Sequence, residues 1–406
     1  MNVLARAIMT VFRIEEPTPA ARGGFALWAL GFRPFYLGGA LFGGAALLAW
    51  MAAYAGHPLP GLSSYLPGMF WHAHEMIFGF GAAIVAGFLL TAVRAWTSVT
   101  PAQGKSLAAL WLLWLAGRIT VAYAPPGVAA VVDSLFLPAC ALVLLRVLIG
   151  AKNSHNIFLP VALGMLAALN VAFHLSMLAG RADWALHSAY LAVGMLVLFI
   201  TIIGGRIIPS FTANAVPGYA VQRWDAVERA VMPLSMLAFV LDAALGSGVL
   251  VAIAAFAAAG AQGARIWGWR SWQVGNRPIL SILHIAYVWI PVGFVLLALA
   301  ALGLVAHTLA IHAFTVGAIG CAIMAMITRT ARGHTGRKLV AGGFDIACYA
   351  LLVIAALIRV AGPWLAPQWL TFWIEASGAC WVVAFAAYCY RYAGWLMAPR
   401  VDGKEG

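Results

Sequence analysis

Two histidines and a glutamate, His72, His74 and Glu75, stand at the head of the stretch Trp71 to Trp96, WHAHEMIFGFGAAIVAGFLLTAVRAW. Imidazole is the commonest protein ligand for transition metals and also serves haem iron. From Met76 to Val93 the stretch is apolar apart from Thr91, about the length that crosses ~30 Å of hydrocarbon. Ionisable side chains near a bilayer interior are costly and mark a functional site by default. The other candidates are the residues that gather at the same depth.

The elements that must position them are membrane helices. The chain has 406 residues, 64% hydrophobic and 9% charged, whereas a soluble domain is nearer half apolar and a quarter charged. Apolar runs near 20 residues long predict an all-α integral membrane protein, since a barrel would show ~10-residue alternating segments. The net charge of +12 would suggest nucleic acid in a soluble protein. Here the basic residues sit in loops and report membrane orientation, so the expected partner is the lipid bilayer and no nucleic acid. Cys140, Cys321, Cys348, Cys380 and Cys389 all fall in apolar runs, with no C-x-x-C, and read as small buried hydrophobes.

Twelve spans are expected, at 33–55, 70–93, 106–123, 128–149, 157–179, 184–208, 228–246, 248–267, 279–302, 307–328, 342–362 and 370–392. They form one transmembrane domain over 32–392. It is preceded by a cytoplasmic segment, 1–31, whose Leu4, Ile8, Val11 and Phe12 alternate with Arg6 and Arg13 as in a surface helix. A cytoplasmic tail, 393–406, comes after it. On this map 21 of the 24 Lys and Arg lie on the side of the termini, and only Arg118, Arg181 and Arg359 lie toward the other face. The positive-inside rule then puts both termini in the cytoplasm.

The same map places His72, His74, His174, His187, His307 and His312 in the outer third of the membrane, on four helices. Glu75, Asp133, Asp242 and Glu375, with Arg118 and Arg359, share that depth. Histidine, carboxylate and arginine at one level predict a buried polar cavity, although any single histidine could be a satisfied helix contact. His72 and His74 are two residues apart, so a regular helix points them to opposite sides. His307 and His312 lie ~140° apart around an axis. HAHEM does not fit H-E-x-x-H, which excludes a zincin site.

Further along, histidines open spans 2, 6 and 10, and each span ends in an arginine, as three four-helix units would produce; coincidence with the positive-inside rule would produce it too. Gly39 and Gly43 read as a close helix contact. Pro233 and Pro291 should kink their spans, and Gly204, Gly205 and Pro209 read as a helix stop. His284, three residues before Tyr287 at the cytoplasmic side, is either a satisfied interfacial histidine or part of a quinone or second haem site.

Several segments together resemble the NnrS family. They are FRPF at Phe32 to Phe35, WHAHEM…GFGAAIVAGFLLTAV at Trp71 to Val93, GRIIPSFTANA at Gly205 to Ala215, HAFTVGAIG…MITRTARGHTGR at His312 to Arg337, and PRVDG at Pro399 to Gly403. The resemblance runs from end to end. It implies a twelve-span protein of the bacterial inner membrane that contains haem b and copper and serves denitrification and defence against nitric oxide. It also implies functional roles for His72, His74, Glu75 and His312; His174, His187 and His307 are added from depth alone.

Chemistry extends this expectation. Histidines suit haem iron, further imidazoles suit copper, and Arg118 and Arg359 suit haem propionates by bidentate hydrogen bonding. Glu75, Asp133 and Glu375 could relay protons. The expected reaction is reduction of two nitric oxide molecules to nitrous oxide and water, with electrons from membrane quinol or an external protein. The alternatives are a non-catalytic nitric oxide or metal-binding protein and a secondary transporter.

Overall fold

The computed structural model describes residues 24–58 and 64–404; most of the expected surface helix lies outside them. Every regular element among the described residues is a helix. Eleven helices are long and apolar enough to cross a membrane. In chain order these and one more are α1 Phe32–Tyr54, α2 Gly68–Thr97, α3 Lys105–Tyr123, α4 Pro126–Gly150, α5 Ser154–Leu178, α6 Ala182–Ala215, α7 Asp225–Leu245, α8 Val249–Gly268, α9 Pro278–Ala301, α10 His307–His334, α11 Gly343–Leu365 and α12 Leu370–Met397. The one outside the eleven is α7. Asp225, Glu228, Arg229 and Asp242 dilute its apolar character, yet it packs between α6 and α8 like its neighbours.

The most buried spans are α2 and α10. Around them the other helices pack mainly on their chain neighbours, and α12 returns to pack on α1. The first and last helices are pinned together at one end. Arg33 donates to the carbonyls of Leu396 at 2.8 Å and Ala398 at 2.7 Å, which satisfies helix-end acceptors that α12 cannot satisfy itself. Phe32 N donates to Thr91 Oγ1 at 2.8 Å. The FRPF segment is therefore a structural clasp. The PRVDG segment closes the same end, with Val401 N on the Thr335 carbonyl at 3.1 Å and Arg400 paired with Asp402.

Gly39 and Gly43 make the close contact expected of them. A Cβ on Gly39 would meet Ile84 at 2.9 Å, and one on Gly43 would meet the Phe80 ring at 2.5 Å, so α1 lies directly against α2.

Three local features depart from the expected spans. Span 4 breaks at Leu135, between Pro126–Ser134 and Phe136–Gly150. Pro138 has no N–H to bond the Ser134 carbonyl, so the ladder is interrupted one residue past Asp133. Span 6 does not stop at Gly204, Gly205 and Pro209; α6 runs through Pro209 to Ala215. One proline removes one hydrogen bond, which a packed membrane helix tolerates. Finally, α2 and α10 each contain a stretch of π-helix immediately after their histidines, at Glu75–Gly81 and Ala313–Gly320. The corresponding helix of the proposed threefold repeat, α6, carries none.

Candidate metal and cofactor sites

On a helix, residues two apart point ~200° from each other, and His72 and His74 obey that rule. They serve two different sites on opposite flanks of α2. π-Helical stretches recur at functional sites because the extra residue re-aims the side chains of the next turn.

The first site lies between α2, α3, α4 and α5. His74, Glu75, Arg118, Asp133, Asn170 and His174 meet there, and all six are buried. The three atoms His74 Nε2, His174 Nε2 and Asp133 Oδ2 form a triangle with sides of 3.2, 3.2 and 2.9 Å. Tetrahedral ligands held about 2.0–2.1 Å from a metal ion stand about 3.3 Å apart, so the triangle has the size of a metal's coordination face. These three residues are also a group able to hold a metal ion.

The hydrogen-bond pattern has room for a cation there. His74 Nδ1 lies 2.9 Å from Glu75 Oε1 and must donate, because a carboxylate only accepts. His74 Nε2 then carries a lone pair. It nevertheless sits 3.0 Å from Asn170 Oδ1 and 3.2 Å from Asp133 Oδ2, which are both acceptors. Electron pairs in this arrangement repel unless a cation lies among them or His174 Nε2 carries its proton, 2.9 Å from Asp133 Oδ2 and 3.2 Å from His74 Nε2. The outer nitrogens are oriented as in metal centres: His74 by the Glu75 carboxylate, His174 by the Tyr65 hydroxyl on its Nδ1. Such outer partners fix the tautomer and ring orientation of ligating histidines.

Arg118 ties the cluster together. It donates to Glu75 Oε2 at 2.7 Å and pairs with Asp133 Oδ1, and Asn170 Nδ2 donates to Asp133 Oδ2 at 2.7 Å. Two glycines leave room for this. A Cβ on Gly79 would sit 2.7 Å from Arg118 Nη1, and one on Gly117 would sit 2.8 Å from Asp133 Oδ1 and 3.2 Å from its Cα.

The second site is a cavity of about 530 Å³ on the other flank of α2. Its walls are apolar and aromatic, with Trp50, Tyr54, Phe80, Tyr190 and Trp381 among them. The ionisable side chains in it are His72 from α2, His312 from α10 and Arg359 from α11. His312 Nδ1 donates to the Thr308 carbonyl at 2.7 Å, which leaves the Nε2 lone pair free. The His72 ring stacks on Trp50, with centroids 4.2 Å apart, and its Nδ1 is buried without a hydrogen-bond partner. Trp381 is held by donating to the Gly43 carbonyl at 3.2 Å.

A family model described as NnrS protein matches residues 26–400. The chain belongs to the NnrS family. A comparison with curated proteins finds no match.

Of the positions singled out in this NnrS-family sequence, the structure brings His74, Glu75, Arg118, Asp133 and His174 into one site and His72, His312 and Arg359 into the other. Arg118 was expected beside haem propionates; its guanidinium is committed to Glu75 and Asp133 instead. Asp133 was expected as a proton carrier and stands among the possible metal ligands. His187 and Glu375 join neither site and are exposed, because α6 turns Ala185, Ser188 and Ala189 inward and α12 turns Ile374 and Ser377 inward. His307 pairs with Asp242 at 3.0 Å. It packs on Tyr190, which lines the cavity, so it stands behind that wall. His284 is satisfied on both nitrogens, by Ser271 Oγ at 2.8 Å and Thr212 Oγ1 at 3.0 Å, in accord with the structural reading of that residue.

Sequence reasoning passed over Tyr65, Asn170, Trp50, Gly79 and Gly117. Asn170 alone had a signal: an amide one turn before His174, in a span otherwise apolar.

Proposed function

We propose that this NnrS-family chain is a twelve-span protein of the bacterial inner membrane, with both termini cytoplasmic. In this reading it holds haem b in the cavity of His72 and His312 and copper at His74, His174 and Asp133, and it reduces nitric oxide to nitrous oxide. The observation that carries the reading is the pairing, across one helix, of a large apolar cavity flanked by two imidazoles with a compact histidine–carboxylate triangle.

Each group fits the residues present. An apolar cavity of this volume lies in the range of cofactor pockets, about 300–1,000 Å³. His312 offers Nε2 with its other nitrogen already bonded to a carbonyl, as a haem ligand requires. Buried His72 Nδ1 has no protein partner, and leaving such a group unpaired costs about 1–3 kcal/mol. Arg359 is the cation that would meet a propionate. The triangle's two imidazoles and one carboxylate are a donor set that suits copper. When bound, haem and copper supply the redox chemistry and the affinity for nitric oxide.

The chain's own residues account for the rest. The apolar walls exclude water and admit a small neutral gas from the bilayer. Glu75 belongs to the first site, three residues after His72 in the chain and adjacent to His74. Its Oε1 accepts the His74 Nδ1 hydrogen bond, and Arg118 on Oε2 holds the carboxylate in place. In this reading Glu75 carries protons out of the buried network. Membrane quinol or an external protein supplies the electrons.

Rapid mixing of the purified, reduced protein with nitric oxide tests this. The expected result is nitrous oxide over many turnovers while reductant lasts. Uptake of one equivalent without nitrous oxide would replace catalysis by a non-catalytic, protective binding role.

A further inference from the structure

At the end of the bundle opposite the two histidine sites, three guanidinium groups surround one indole. Arg337, Arg391 and Arg332 stand 4.1, 4.4 and 5.3 Å from the ring centre of Trp395. Arg332 is neutralised: it donates to Asp345 Oδ2 at 2.5 Å and to the Tyr392 hydroxyl at 3.1 Å. Arg337 and Arg391 are not. Neither has a carboxylate within ion-pair distance among the described residues; Arg337 donates only to the Thr335 carbonyl at 3.4 Å, and Arg391 rests on the indole alone. The nearby Asp402 is taken by Arg400. Burial, then the charges of Arg391 and Arg332, hold the Arg337 guanidinium below its ordinary pKa. Two guanidiniums thus stand against one indole with no carboxylate of the described residues within ion-pair distance of either.

The surroundings say what the anion is attached to. Val340, Phe344 and Tyr390 are 65%, 49% and 81% exposed, and the last two lie ring to ring at 6.1 Å. Exposed apolar and aromatic side chains beside the ends of membrane helices belong at the lipid headgroup level. Basic pockets between helix ends at that level suit anionic headgroups.

We propose that Arg337, Arg391 and Trp395 form a binding site for the headgroup of one anionic phospholipid, with its acyl chains along Phe344 and Tyr390. The phosphate is bound by the Arg337 and Arg391 guanidiniums beside the Trp395 indole, while Arg332 is already paired with Asp345. This site is independent of the nitric oxide reading.

The test uses the full chain in neutral detergent, titrated with phosphatidylglycerol and followed by native mass spectrometry. The expected result is one saturable phosphatidylglycerol adduct that phosphatidylcholine does not form. R337Q/R391Q is expected to weaken it about 30-fold, at about tenfold per 1.4 kcal/mol and about one such surface charge each. R337K/R391K should retain most of the binding, and R277Q, at the same end but away from Trp395, should be unchanged. Should the double variant fold poorly, R391Q alone removes an exposed charge and is expected to cost about fivefold. Equal binding of phosphatidylcholine, or unchanged affinity in R391Q, overturns the proposal. Displacement of the lipid by an equal concentration of glycerol phosphate also overturns it, in favour of a soluble anion.

Discussion

Asp133→Ala is expected to destabilise the protein by about 3–5 kcal/mol and to remove the bound metal. Asp133 is the acceptor on which Arg118 and Asn170 converge, and its Oδ2 lies 2.9 Å from His174 Nε2. Its loss leaves a buried guanidinium with Glu75 as its one remaining carboxylate, and breaking a buried ion pair from one side costs that much. The two consequences separate in a second variant. E75Q/R118M/D133L removes all three charges together, and buried ionic groups replaced together by neutral residues of similar size are often near neutral. It should regain most of the stability but none of the metal. Denaturant unfolding in detergent with copper analysis measures both. Asn170→Leu, which leaves the three ligand atoms in place, should weaken metal binding by about 10–100-fold, as for a lost outer partner.

The second large effect concerns the cavity. His312→Ala is expected to abolish the haem absorption bands, because His312 is the imidazole whose Nε2 is free and whose Nδ1 is anchored, on Thr308. His187→Ala and Glu375→Gln, at positions that are exposed and outside both sites, should leave the spectrum unchanged. Haem retained in His312→Ala at the wild-type ratio to protein would remove His312 from the site.

The existence of the helices was legible in the sequence and direction around each helix was not. An apolar run of about 20 residues announces itself whatever it packs against, so the eleven spans and their basic ends could be read directly. Placing His187 and Glu375 near the start of their helices said nothing about azimuth, because α6 and α12 are apolar on all sides and show no stripe from which a buried face could be chosen. His72 and His74 fared better, since their two-residue spacing forces divergence on any helix. What the spacing could not give was a partner for each. Asp133 and His174 meet His74 through the break that Pro138 imposes on α4 and the packing of α5 beside it. Arg118 illustrates the same limit: a lone arginine at haem depth is indistinguishable from one that braces two carboxylates. The π-helical stretches left no local signature, since glycine-rich apolar segments are equally compatible with α-helix. Pro209 misled because a break that is decisive in water is tolerated inside a bundle.

The central claim is that the two histidines of the WHAHEM segment serve two separate prosthetic groups. Iron and copper measured per protein in His72→Ala and His74→Ala test it most directly. The account predicts that His72→Ala loses iron and keeps copper, while His74→Ala loses copper and keeps iron. Loss of the same metal from both variants would contradict it.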